Sequence, residues 1–111
     1  MLEEVKLLLG IEDDSRNELL ELLIRNAETQ LIGRLDELVL DPPVVPEPLA
    51  YIVVELVVAR YNRIGAEGAS SQSVEGYSVN YRDNDLTPYE LDIERYLSKF
   101  RVPKTGVVRF L

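Results

Sequence analysis

The chain of 111 residues, 46% hydrophobic and 29% charged, has the length and composition of one globular domain, taken as residues 1–111. It contains no cysteine and no histidine, which excludes disulfides, thiolate zinc sites, cysteine nucleophiles and every triad built on imidazole, so catalysis is not expected. Twelve basic against twenty acidic residues leave a formal net charge of −8, a balance that does not grip nucleic acid through phosphate neutralisation.

The first predicted element runs from Leu2 to Leu9, with Leu2, Val5, Leu8 and Leu9 on one helical stripe and Gly10 closing it. No basic region followed by an apolar run opens the chain, so no signal peptide is expected and the product should be soluble and made in the cytoplasm. A longer helix is predicted from Ser15 to about Leu38. Ser15 and Glu18 have capping-box spacing, and Asp13 and Asp14 suit the positive end of the helix dipole. Leu19, Leu20, Leu23, Ile24, Ala27, Leu31 and Leu35 form its apolar face, and Gly33 is a weak point where it stops or bends. Pro42, Pro43, Pro46 and Pro48 then make a stiff connector that need not be a domain boundary.

From Leu49 to Ile64 the β-branched residues Ile52, Val53, Val54, Val57 and Val58 would also suit a buried strand. Length without a turn signal, with Pro48 before and Gly65 after, favours a central helix instead. Its apolar run, Leu49 to Ala59, is interrupted by Glu55 and is far short of the ~20 residues that cross a bilayer. Small residues after Gly65 read as a loop, and the alternation of Val74, Gly76, Tyr77, Val79 and Tyr81 reads as an extended arm or short β-hairpin. Thr87, Pro88 and Glu90 announce a last helix, with Leu91, Ile93, Tyr96, Leu97 and Phe100 as its apolar side. A turn at Pro103 to Gly106 leads to the β-prone run Val107, Val108, Phe110 and Leu111. The expected fold is all-α: a small bundle of a short N-terminal helix and three main helices, with the arm between the last two. Leu23, Ile24, Leu31, Ile52, Val53, Leu56, Leu91 and Leu97 are the expected core.

Chemistry finds little support. The pairs Glu3–Glu4, Asp13–Asp14 and Asp36–Glu37 fall on helix starts and solvent faces, where the dipole and hydration explain them. Asp83, Asn84 and Asp85 with Glu90 lack the central glycine and spacing of a calcium loop. Gly65, Gly68, Ser70 and Ser71 leave a helix where a phosphate cradle would enter one. Ser71 and Ser73 have no histidine to activate them. No cofactor or metal is expected. Six tyrosines with no tryptophan suit an interface; Tyr61, Tyr89 and Tyr96 read as core, whereas Tyr77 and Tyr81 divide evenly between interface and core.

The stretch Arg60-Tyr61-Asn62-Arg63-Ile64-Gly65-Ala66-Glu67-Gly68, followed by Ser71, Ser73, Glu75-Gly76, Ser78 and Tyr81, resembles the head–tail connector family of tailed bacteriophages and prophages. The resemblance extends over almost the whole chain, from the Leu-rich opening with Ile11 and Asp13 to the final helix. It implies a non-catalytic virion protein forming a ring, often of twelve subunits, beneath the portal, bound to a downstream stopper or tail-completion protein. DNA would be passing cargo, and the protein would reside in the neck of the virion after assembly in the host cytoplasm, with no membrane involved. Arg60, Arg63 and Glu67 are assigned to organising the helix end and the subunit contact, with capping alone as the alternative. Val108 and Phe110 are expected to dock on a neighbouring chain by strand addition, or else to fold back on the bundle. The competing class is a small acidic helical regulator or inhibitor that binds a basic protein. A carboxylate-and-metal hydrolase is the weakest option.

Overall fold

Apolar periodicity resolves into helices wherever the chain is described, residues 1–66 and 83–101 of a computed structural model. Four α-helices are present there: α1 (Leu2–Leu9), α2 (Asn17–Arg34), α3 (Ala50–Ala66) and α4 (Glu90–Ser98). Two 3-10 turns, Glu47–Leu49 and Asp83–Tyr89, lead into α3 and α4. No strand occurs among the described residues, so the all-α expectation holds for them. The expected arm or hairpin, from Val74 to Tyr81, lies outside the described residues.

The centre of the bundle is α3 packed along α2, with α1 laid against both. Leu20, Leu23, Ala27 and Leu31 recur at three- and four-residue steps on α2 and are fully buried. They face Ile52, Val53, Leu56 and Val57 of α3, a run so apolar that the helix is covered on several sides. Val5 of α1, Ile93 and Leu97 of α4, and Leu35, Leu49, Val54, Ile64 and Leu86 complete the described core. Of the expected core, Leu23, Leu31, Ile52, Val53, Leu56 and Leu97 are buried, and Ile24 is half-buried at the edge. Leu91 is a correction: it is 63% exposed. Ile93 and Leu97, four residues apart, set the buried stripe of α4, and Leu91 lies about 200° round the helix from Ile93. Leu8, expected on the buried stripe of α1, is likewise 62% exposed.

Both predicted capping boxes are absent. The Asp13 carboxylate accepts from the Ser15 backbone N–H (3.0 Å) and hydroxyl (2.7 Å), so that hydroxyl donates into a turn and α2 starts at Asn17. At α4, Pro88 sits inside the 3-10 turn and Glu90 opens the helix, its carboxylate taken by Arg34. The proline-bearing connector is as expected, and its Asp41–Pro42 peptide is cis. Lys6 is almost fully buried, and its ammonium reaches Asp14 at 2.9 Å, pinning α1 to the turn before α2.

Two glycines make opposite predictions. Gly10 caps α1 at φ 72°, donating its N–H to the last turn, and a side chain there is strained whatever the space. Gly33 lies within α2, and a Cβ added to it meets nothing within 4 Å. Gly10→Ala should therefore lower stability by about 1 kcal/mol, and Gly33→Ala raise it by up to about 1 kcal/mol, in urea denaturation. In the core, Leu56→Ala should cost ~2–5 kcal/mol; a loss below about 0.5 kcal/mol would mean that this face of α3 is not packed.

Candidate functional site

Arg60 and Arg63 lie one turn apart on the last part of α3, and the structure brings them together around one carboxylate. Asp85, in the 3-10 turn before α4, accepts from Arg60 Nε at 3.1 Å through Oδ2, the same oxygen forming an ion pair with Arg60 Nη2 at 3.0 Å. Through Oδ1 it accepts from Arg63 Nη2 at 3.2 Å. Arg60 Nη2 also donates to the Gln30 carboxamide of α2. The Arg60 side chain is fully buried, that of Asp85 is 6% exposed, and that of Arg63 is 21% exposed. A charge removed from water needs this degree of pairing to be tolerated at all. Arg60 thus joins three elements within one chain: α2, α3 and the turn that launches α4. A cleft of about 280 Å³, lined by Leu56, Ala59, Arg63, Pro88 and Tyr89, opens beside the pair.

Arg60 and Arg63 are the predicted site residues that the structure describes. Glu67, Tyr77, Tyr81, Val108 and Phe110 lie outside the described residues. Asp85 was missed, having been read as part of a turn. The signal available was two arginines at i and i+3 ending an apolar helix, a pattern that calls for a carboxylate partner.

A second polar constellation fastens α4. Arg34, in the last turn of α2, forks onto Glu90 (Nε to Oε2 3.1 Å, Nη2 to Oε1 2.7 Å) and donates to Glu94 at 2.7 Å. Arg101 donates to Glu37 at 2.7 and 2.8 Å and to Glu94 at 2.8 Å. The Arg101 and Arg34 guanidiniums hold the Glu94 carboxyl down at about 2, and Arg101 lowers Glu37 as well. On the other side of α4, Tyr51 donates to Asp92 and Tyr89 donates to Glu55 at 3.0 Å. The two rings meet edge-on, their centroids 6.2 Å apart. The Asp92 hydrogen bond lifts the Tyr51 phenol to about 12; burial, then Glu55, does the same for Tyr89.

Tyr61, Tyr89 and Tyr96 are half-buried against the core. No group of three or more acidic residues among the described ones is placed to hold a metal ion. None of the described helices is long and apolar enough to cross a membrane.

Residues 1–96 match the family model described as phage gp6-like head-tail connector protein, a structural family. No curated protein and no solved structure matches the chain.

Two predictions follow from the ion pairs. Asp85→Ala strands the Arg60 charge in the core and should cost ~3–5 kcal/mol in chemical denaturation, whereas an exposed pair would cost at most about 1 kcal/mol. Glu94 has a folded pKa below its ordinary value, so its contribution is present above about pH 4.5 and lost as the pH falls towards 2. Stability measured across that window should fall less steeply in Glu94→Gln than in the parent; parallel curves would contradict the assignment.

Proposed function

The chain belongs to the phage gp6-like head-tail connector family, and from that premise we propose that it forms a ring beneath the portal of a DNA-filled capsid. There it extends the DNA channel and presents a platform to the stopper or tail-completion protein that follows. The observation that carries this reading is the family match over residues 1–96, which takes in α1 to α3 and most of α4. A net charge of −8 supports it, because DNA slides past an acidic wall without being held. The role needs no catalytic group, cofactor or membrane, and its place is the neck of the virion, reached from the host cytoplasm. We further propose that one domain, residues 1–111, makes up the subunit.

Within that role, Arg63 and Glu67 are proposed to contribute to the contact between subunits. Arg60 is proposed to support that contact by fixing the end of α3, since its own guanidinium is turned inward onto Asp85 and Gln30. Tyr77 and Tyr81 are proposed to supply apolar area for the portal or the adjacent subunit, and Val108 and Phe110 to dock there by strand addition.

Co-sedimentation of the purified chain with purified portal rings of its own phage tests the proposal. Saturable binding, at a ratio matching a complete ring, is expected. Absence of portal binding, together with tight binding to a basic non-virion protein, would favour the acidic regulator instead.

A further inference from the structure

Two surfaces of the described bundle complement one another and leave side chains exposed beyond what its own core uses. The outer face of α1 carries Glu3, Glu4, Leu7 and Leu8, all exposed, the leucines to 81% and 62%. Spacings of three and four residues stack them into one ridge, acidic at the start of the helix and apolar beyond. The two leucines side by side make a small apolar patch next to the acidic start of the helix.

The second surface is a cleft of about 200 Å³ between the start of α3 and α4, lined by Pro48, Tyr51, Asp92, Arg95, Tyr96 and Lys99. Its walls are two aromatic rings and a proline. Two cations stand at its rim against one carboxylate, and that carboxylate is engaged by the Tyr51 hydroxyl and lies 3.8 Å from Arg95. Lys99 sits over the Tyr96 ring, 5.7 Å from its centroid. Exposed Leu91 lies one turn from Arg95 on the same helix and extends the apolar rim.

We infer that the α1 ridge of one subunit seats in the α3–α4 cleft of the next. Leu7 and Leu8 cover Tyr51, Pro48 and Leu91, and Glu3 and Glu4 pair with Arg95 and Lys99. The occupant is a second copy of this chain because the ridge supplies the charge and shape that the cleft lacks: two carboxylates for an excess cation, and aliphatic groups for an aromatic floor. The two patches belong to different elements, so the contact is head-to-tail, the type that builds a ring when the rotation between subunits closes and a filament when it does not. This inference rests on the ring proposed above and names the surfaces that would build it.

The absence of native cysteine makes cross-linking clean. Leu8→Cys and Lys99→Cys chains, mixed and oxidised, should give the mixed disulfide dimer several-fold above either same-variant dimer. They should also exceed a control mixture of Leu22→Cys with Lys99→Cys. In sedimentation velocity, Glu4→Lys and Lys99→Glu should each weaken self-association about tenfold, and the double variant should recover most of it. Oligomers that ignore both exchanges and give no preferred cross-link would overturn the inference and leave the connector reading standing. A disulfide between Lys99→Cys and Val108→Cys of one chain, in place of the mixed dimer, would show the cleft filled by the chain's own end and also overturn it. Loss of self-association and of portal binding in the unmodified chain would bring down both.

Discussion

A guanidinium with no access to water dictates much of the geometry of this bundle. Arg60 emerges from the apolar central helix α3, and Asp85 neutralises it from a segment 25 residues away. Because the desolvation cost of an unpaired buried charge exceeds most single packing gains, the turn before α4 has to stand where Asp85 reaches. Gln30 fixes the same group from α2. Three elements are thereby placed to within hydrogen-bond tolerance, a definition that the permissive apolar contacts among leucine and valine do not supply alone. Ion pairing of this kind weighs more on arrangement than on net stability.

The rest of the attachment of α4 is exposed and of a different character. Arg34 and Arg101 gather Glu37, Glu90 and Glu94 into a chain of charge-assisted bonds across the end of α2. Solvent screens such pairs, so the helix is held chiefly by Ile93 and Leu97 in the core and oriented by the arginines.

Much of this was legible in sequence. The glycine cap of α1, the apolar faces of α2 and α3, and the proline-bearing connector all arise from local rules of sterics and periodicity, and the structure follows them. The strand-like valines of α3 form a helix because the run is long and uninterrupted by turn residues. What escaped was decided by competing partners, one of them two residues away and the others distant in sequence. Ser15 and Glu90 had the spacing of helix caps, yet Asp13 captured one and Arg34 the other. Leu91 looked like core in an apolar list, and only the placement of Ile93 and Leu97 turned it outward. Asp85 gave no sign of its role because its importance lies in Arg60, across 25 residues of chain. The family resemblance was carried by the arginine-bearing end of α3, the same place where the buried pair is found.

The most direct test is imaging of the purified portal incubated with this chain by single-particle electron microscopy. The account predicts a closed ring of helical subunits capping the portal, coaxial with it and prolonging an open channel wide enough for duplex DNA. Portal particles without added density, while the chain stays monomeric at the same concentrations, would contradict it.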